Sequence, residues 1–233
     1  MIDMGFLRII RKWALRDQLS TGGVGVRSLG RILSSRRFQR IFAAMLFAVT
    51  AHFMAFTYVE SFLGETASVP SRAVAPMFVA FGVAGIAANV VTGALIDNWL
   101  KMIVPVSHIL AYYSLCVLAL FGAELGFVGV ALALILWGGA IAAILVGLQT
   151  WVLKEAGADA LQASAIYVAF FNGAIGFGAA AGAGLLETAG LSGLFLCAAA
   201  LVYVGIASII MLRESDRRPV QTGNRGEIPD PAD

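Results

Sequence analysis

The chain has 233 residues, 60% of them apolar and only 13% charged, with a mean hydropathy of +0.87. No ordinary water-soluble domain carries that balance, so the composition points to an integral membrane protein. Twenty of the thirty charged residues lie in the first 40 or last 21 positions. The remaining core, 41–212, holds ten charges in 172 residues and leaves almost nothing for a soluble catalytic domain.

In chain order, residues 1–40 read as a basic, amphipathic cytoplasmic segment. Arg8, Arg11, Lys12 and Arg16 interrupt the apolar residues, which excludes a cleavable signal peptide. Phe6, Ile9, Ile10 and Trp13 share one helical face while Arg8, Lys12 and Arg16 share another, the pattern of a helix lying on an anionic leaflet. Contact with that leaflet explains the arginines better than nucleic acid does. Ser20 to Arg37, with Gly22, Gly23, Gly25 and Gly30, reads as a flexible connector. The tail, 213–233, with three prolines among charges, reads as disordered.

Between these ends, apolar runs at 41–63, 74–96, 102–122, 127–150, 163–186 and 191–212 are each long enough to cross a bilayer, which takes roughly 20 residues per helix. Unbroken runs without period-two alternation select helices, so the expected fold is all-α with six transmembrane spans. With the N-terminus cytoplasmic, the inside segments carry fifteen basic residues and the outside loops carry Arg72 alone. That split predicts two cytoplasmic termini. Trp99 and Trp151 follow the second and fourth spans, where interfacial rings are expected. Cys116 and Cys197 fall inside apolar runs and read as small core residues, not as a disulfide.

An offset of 89 residues aligns Val79-Ala80-Phe81 with Val168-Ala169-Phe170 and Gly93 with Gly182, matching span two to span five. An inverted 3+3 repeat would leave such a trace. Gly178 and Gly182 form a GxxxG spacing that lets helices approach closely.

These residues resemble the C-terminal half of a major facilitator superfamily transporter, closest to the bacterial drug and sugar efflux antiporters, including arabinose and purine nucleoside exporters. Phe56-Thr57-Tyr58 with Phe62-Leu63 looks like that group's seventh helix, and the stretch from Gly93 through Asp97 to Lys101 resembles its cytoplasmic gating loop. Asn98 stands where that loop usually has arginine. Gln149 to Lys154 resembles the end of the tenth helix, and Ala163 to Asn172 the start of the eleventh. The resemblance implies alternating access, outward transport of a drug, sugar or nucleoside, coupling to protons, residence in the inner membrane, and a site between two six-helix halves of which this chain supplies one.

Polar groups within spans need a partner or a water-filled cavity. His52 serves either a bond to a neighbouring helix or a substrate or proton site. Glu60, about 12 Å further out at 1.5 Å per residue, serves either the outer interface or proton coupling. Asn89, Gln149 and Asn172 divide between cavity lining and helix-to-helix bonding, and His108 reads as structural. Gly190-Leu191-Ser192-Gly193 matches a rhomboid protease string, but both histidines precede it, so Ser192 reads as a helix cap. No HExxH string, phosphate-cradling loop or carboxylate cluster is present, so no enzyme activity, metal or cofactor is expected. The partners expected are lipid, a small solute, and either a missing N-terminal half or a second copy of the chain. The competing reading is a six-helix fragment or assembly partner that does not transport.

Overall fold

A computed structural model of the chain describes residues 26–67 and 69–217. Its elements are α1 (Val26–Ser34), α2 (Arg36–Phe56), the single turn α3 (Val59–Ser61), a π-helical turn (Phe62–Thr66), α4 (Ser71–Phe121), α5 (Gly126–Ala156), a 3-10 turn (Gly157–Asp159) and α6 (Ala160–Arg217). Among the described residues there is no strand, and the fold is all-α as expected. Three helical runs are long and apolar enough to cross a membrane: Arg36–Phe56, Ser71–Phe121 and Gly126–Leu212.

The longest runs are folded back on themselves. A straight helix of the 51 residues in α4 would extend about 77 Å, more than twice the hydrocarbon thickness of a bilayer. Phe81 packs against Gly138, however, and Val104 packs against Gly147. Two positions 23 residues apart in α4 therefore meet two positions only nine apart in α5, which no straight rod can do. The reversal lies between Asp97, which reaches Lys154, and Val104. Residues 97–101, expected as a loop between two spans, are instead helical. This turn of the chain buries Ile96 and Leu100.

In α6 the break falls at Gly190, whose φ of 68° and ψ of −176° lie outside the helical region and in territory open essentially to glycine. Ser192 thus sits inside the helix that follows, not at its cap. Before the break, Gly178 packs on the backbone of Thr50 and Met54, and Gly182 on the ring of Tyr58. After it, Gly205 faces the carbonyl oxygen of Ala44, and Arg40 Nη1 donates to the carbonyl oxygen of Met211 at 2.6 Å. The first arm of α6 runs parallel to α2 and the second antiparallel to it.

This makes α2 the hub. Of its apolar window 67% is buried, against 6% of the corresponding window in α4. Small residues at the contacts, Ala44, Ala48, Ala51 and Ala55, are at most 1% exposed and allow the close approach. Outward, Val79, Val90, Val128 and Phe177 are each more than 60% exposed. Apolar surface of this kind suits lipid and not water, and the chain is a multi-pass membrane protein.

Four local expectations need correction. Residues 26–34 form a helix where a connector was expected; Ile32 is 2% exposed, and Arg31 pairs with Asp159 at 3.3 Å, so tertiary docking overrides the local glycine content. The first span is not one smooth helix. Thr57 Oγ1 donates to the carbonyl oxygen of Phe53 at 2.6 Å, a local bond that competes with the ladder, and the chain turns at Thr57 and Tyr58 before resuming. Trp99 is 51% exposed, but Trp151 is only 3% exposed and belongs to the core, not to an interface. Finally, α6 continues to Arg217, five residues past the expected end. The amphipathic stretch 1–20 and the tail from 218 lie outside the described residues.

Candidate functional site

A cavity of about 330 Å³ opens between α2, the first arm of α4, α5 and the first arm of α6. The second arms of α4 and α6 take no part in its wall. Its lining is almost wholly apolar. Phe53, Phe81, Ile86, Ile141, Ala142, Leu145, Val146 and Phe171 contribute side chains, Gly82, Gly85 and Gly138 leave it open, and the two polar side chains are His52 and Asn89. None of the lining residues is charged.

His52 sits in a box of rings. Its imidazole lies 4.9 Å from Phe53, 5.1 Å from Phe56, 6.2 Å from Phe81 and 5.4 Å from Trp137. It stacks on Phe81 with 10° between the planes and meets Trp137 nearly edge-on at 71°. These spacings fall in the favourable range for aromatic pairs. Nδ1 of His52 is buried and has no hydrogen-bond partner. Phe81 also borders a narrow apolar crevice of about 10 Å³ formed with Phe56, Phe78, Leu134 and Trp137, so its ring stands between the open cavity and the packed interior.

The other residues singled out from the sequence lie apart from this wall. Asn172 is exposed and its Nδ2 donates to the carbonyl oxygen of Val168 in its own helix at 2.8 Å, while its neighbour Phe171 lines the cavity. Gln149 is exposed on α5, three residues beyond the lining residue Val146. Glu60 is exposed in α3, outside the cavity. Gly93 and Lys101 are exposed on the helical stretch between the arms of α4. Asp97 on the same stretch accepts from Lys154 Nζ at 3.1 Å, with side chains 84% and 44% exposed. The partner of this carboxylate is thus a lysine at the end of α5. Gly178 and Gly182 face α2, so that seam is filled within the chain. His108 is fully buried and its Nδ1 donates to the carbonyl oxygen of Val104 at 2.8 Å.

The rings around His52 escaped the sequence reading, which weighed polar groups alone. A signal did exist: Phe53 and Phe56 flank His52 at one and four residues, and Phe81 lies in the repeated Val-Ala-Phe triplet.

A multi-pass helical bundle with an apolar cavity between its helices is the class of protein that the fold defines. No protein-family model matches the chain. It is similar to a probable sugar efflux transporter of Mannheimia succiniciproducens, 30% identical over 185 residues that cover 77% of this chain and 45% of that protein. It is also similar to a chloramphenicol efflux pump of Mycobacterium tuberculosis, 27% identical over 196 residues covering 82% of the chain and 47% of the pump. A probable sugar efflux transporter of Haemophilus influenzae is 32% identical over 170 residues, 73% of the chain and 42% of the transporter. This chain is a relative of bacterial efflux transporters of the major facilitator type, and it spans about half the length of the relatives it matches.

Proposed function

We propose that the chain is the C-terminal, six-span half of a major facilitator efflux transporter, resident in the inner membrane with both termini in the cytoplasm. Its cavity forms one wall of an alternating-access pathway for a small organic solute. The observation that carries this reading is the cavity itself, walled by the elements of the first, second, fourth and fifth apolar runs and by neither of the other two.

Further support comes from the arms of α4 and α6, which divide the three long runs into six segments near 41–63, 74–96, 102–122, 127–150, 163–186 and 191–212. The contact of Arg40 with Met211 puts the start of the first segment and the end of the last at the same end of the bundle, as an even number of crossings requires. The ion pairs Arg31 with Asp159, Arg37 with Glu155, and Lys154 with Asp97 gather at that end too. Arginine and lysine favour the cytoplasmic side. The triplets ending at Phe81 and Phe170 belong to the second and fifth segments, the places an inverted repeat would relate.

In this reading His52 and Asn89 meet the solute, Asn172 and Gln149 border its path, and Glu60 stands at the outer mouth. Gly93, Asp97 and Lys101 form the cytoplasmic gate, with protons as the coupling ion. The pathway is completed by an N-terminal half or by a second copy of the chain. The competing reading is a six-helix membrane fragment or assembly partner that does not transport.

Flux separates the two. The chain is reconstituted in proteoliposomes, alone or with a separately expressed N-terminal half of a sugar efflux relative, and uptake of labelled arabinose and chloramphenicol is followed under an imposed pH gradient. Solute movement that a protonophore abolishes and that falls at least tenfold in His52→Ala is the expected result. A folded sample that moves neither solute in either preparation overturns the transport reading.

A further inference from the structure

We infer that the lipid-facing side of the second arms of α4 and α6, around Tyr113 and Tyr203, pairs with the same side of a second copy of this chain. The inference goes beyond the transport reading and takes from it only the six-span arrangement. The second arms take no part in the cavity wall, so such a pair stands two bundles side by side and leaves each cavity as it is.

The chain has five tyrosines, and they divide by what their hydroxyls meet. Tyr58 donates to the carbonyl oxygen of Ala179 at 3.3 Å and Tyr167 to that of Leu145 at 3.2 Å, so each of these hydroxyls is taken up by a neighbouring helix. The other three tyrosines gather on the second arms. The ring of Tyr112 lies 5.2 Å from that of Tyr113 and 5.9 Å from that of Tyr203. Tyr113 and Tyr203 are 61% and 60% exposed.

Depth makes that exposure costly. Tyr113 stands nine residues from the end of the segment 102–122, and Tyr203 nine from the end of 191–212, which sets each about 13 Å inside its nearer boundary at 1.5 Å per residue. Tyrosine is favoured in the interfacial belts, where its hydroxyl reaches water, whereas near the midplane a lipid tail neither donates nor accepts. A phenol does both. Under a two-fold axis, Tyr113 of one copy donates to Tyr203 of the other and the reverse pair forms by symmetry, so the patch complements itself. Ala200 and Ala207, three and four residues from Tyr203, are exposed and small enough for a facing helix to come close. Neither segment holds a lysine, arginine, aspartate or glutamate, so two such faces meet without repulsion and a charged partner finds nothing to pair with.

Tyrosine-to-phenylalanine changes test this with the fold intact, since each removes a hydroxyl and keeps the ring. The full chain, carrying one fluorophore at its C-terminus, is placed in lipid vesicles over a range of dilutions, and the fraction of dimers is read from stepwise photobleaching. The expected result is dimers whose fraction falls on dilution. Their association weakens at least tenfold in the double variant Tyr113→Phe, Tyr203→Phe, the loss that two membrane-buried hydrogen bonds of modest strength amount to. Ala207→Trp, which sets a bulky ring in the way of the facing helix, weakens it likewise. Ile86→Trp, on the exposed cavity side of the first arm of α4, leaves it unchanged, and all three variants unfold within a few degrees of the parent. Monomers at every dilution, whatever lipid or other protein rides with them, overturn the inference, as do dimers that neither the double variant nor Ala207→Trp weakens. Dimers lost in Ile86→Trp put the contact on the cavity side and overturn it too. A chain that pairs yet moves no solute sinks the transport reading alone, and a monomer that moves solute sinks this inference alone.

Discussion

The carbonyl oxygen of Phe81 lies so near Gly138 that a Cβ on the glycine would stand 2.5 Å from it. A backbone atom cannot swing aside as the end of a side chain can, so this seam between α4 and α5 closes only over a bare glycine. It also sets the position of Phe81 against His52, and with it the wall of the cavity.

Gly138→Ala is therefore expected to destabilise the protein by about 1 to 3 kcal/mol, the usual range for overpacking. Gly85 lies in the same seam, but a Cβ there meets the carbonyl oxygen of Gly138 at 3.5 Å and Ala142 Cβ at 3.7 Å, ordinary contacts. Gly85→Ala gains helix propensity of up to about 1 kcal/mol and is expected to be neutral or stabilising. Thermal unfolding of both variants in one detergent, followed by circular dichroism, checks the pair. Equal losses would mean that the seam is tighter at Gly85 than described, and no loss in Gly138→Ala that it is looser there.

The docking of α1 is expected to depend on Ile32 and not on Arg31. Ile32 is 2% exposed, whereas the Arg31 side chain that reaches Asp159 is 73% exposed, and a pair so open to solvent contributes on the order of 0 to 1 kcal/mol. Amide hydrogen exchange in residues 26–34 tests this directly. Ile32→Ala should lose most of the protection there, and Arg31→Ala should change it by less than about tenfold at physiological salt.

Much of this architecture was legible because bilayer physics leaves few options. Runs nearly free of charge, at lengths near twenty residues, dictate helices, and the contacts of Phe81 with Gly138 and of Val104 with Gly147 fall on two runs that hydropathy had separated, 74–96 and 102–122. Local conformation was harder to read. The helical course of residues 97–101 and the helix at 26–34 depend on Ile96, Leu100 and Ile32 finding burial against distant elements, which periodicity in one segment does not encode. The candidate site was half legible. His52 and Asn89 stood out as polar residues in apolar runs, whereas the rings that hold His52 come from three helices and look, one at a time, like ordinary core.

Asp97 and Lys154 form a second contrast between energy and function. Their side chains are 84% and 44% exposed, so a double-mutant cycle with Asp97→Asn and Lys154→Gln should return a coupling below about 1 kcal/mol in unfolding. If this stretch gates the cytoplasmic side as proposed, Asp97→Asn still slows solute flux at least tenfold, because a gate needs only a small bias between two states. Unchanged flux in that variant would remove Asp97 from the gate.

His52→Phe separates stability from recognition at the cavity. The wild-type ring buries an unpartnered Nδ1, and an unsatisfied buried polar atom costs about 1 to 3 kcal/mol relative to an apolar group of similar shape. Phenylalanine is somewhat larger than histidine, but it enters a box already built of Phe53, Phe56, Phe81 and Trp137, and the open cavity on one side accommodates the difference. The midpoint of thermal unfolding is therefore expected to stay the same or to rise by a few degrees, while solute flux falls at least tenfold if His52 meets the solute as proposed. A fall in stability would show that Nδ1 is paired in the membrane, by water or by another chain. Unchanged flux would remove His52 from the solute pathway.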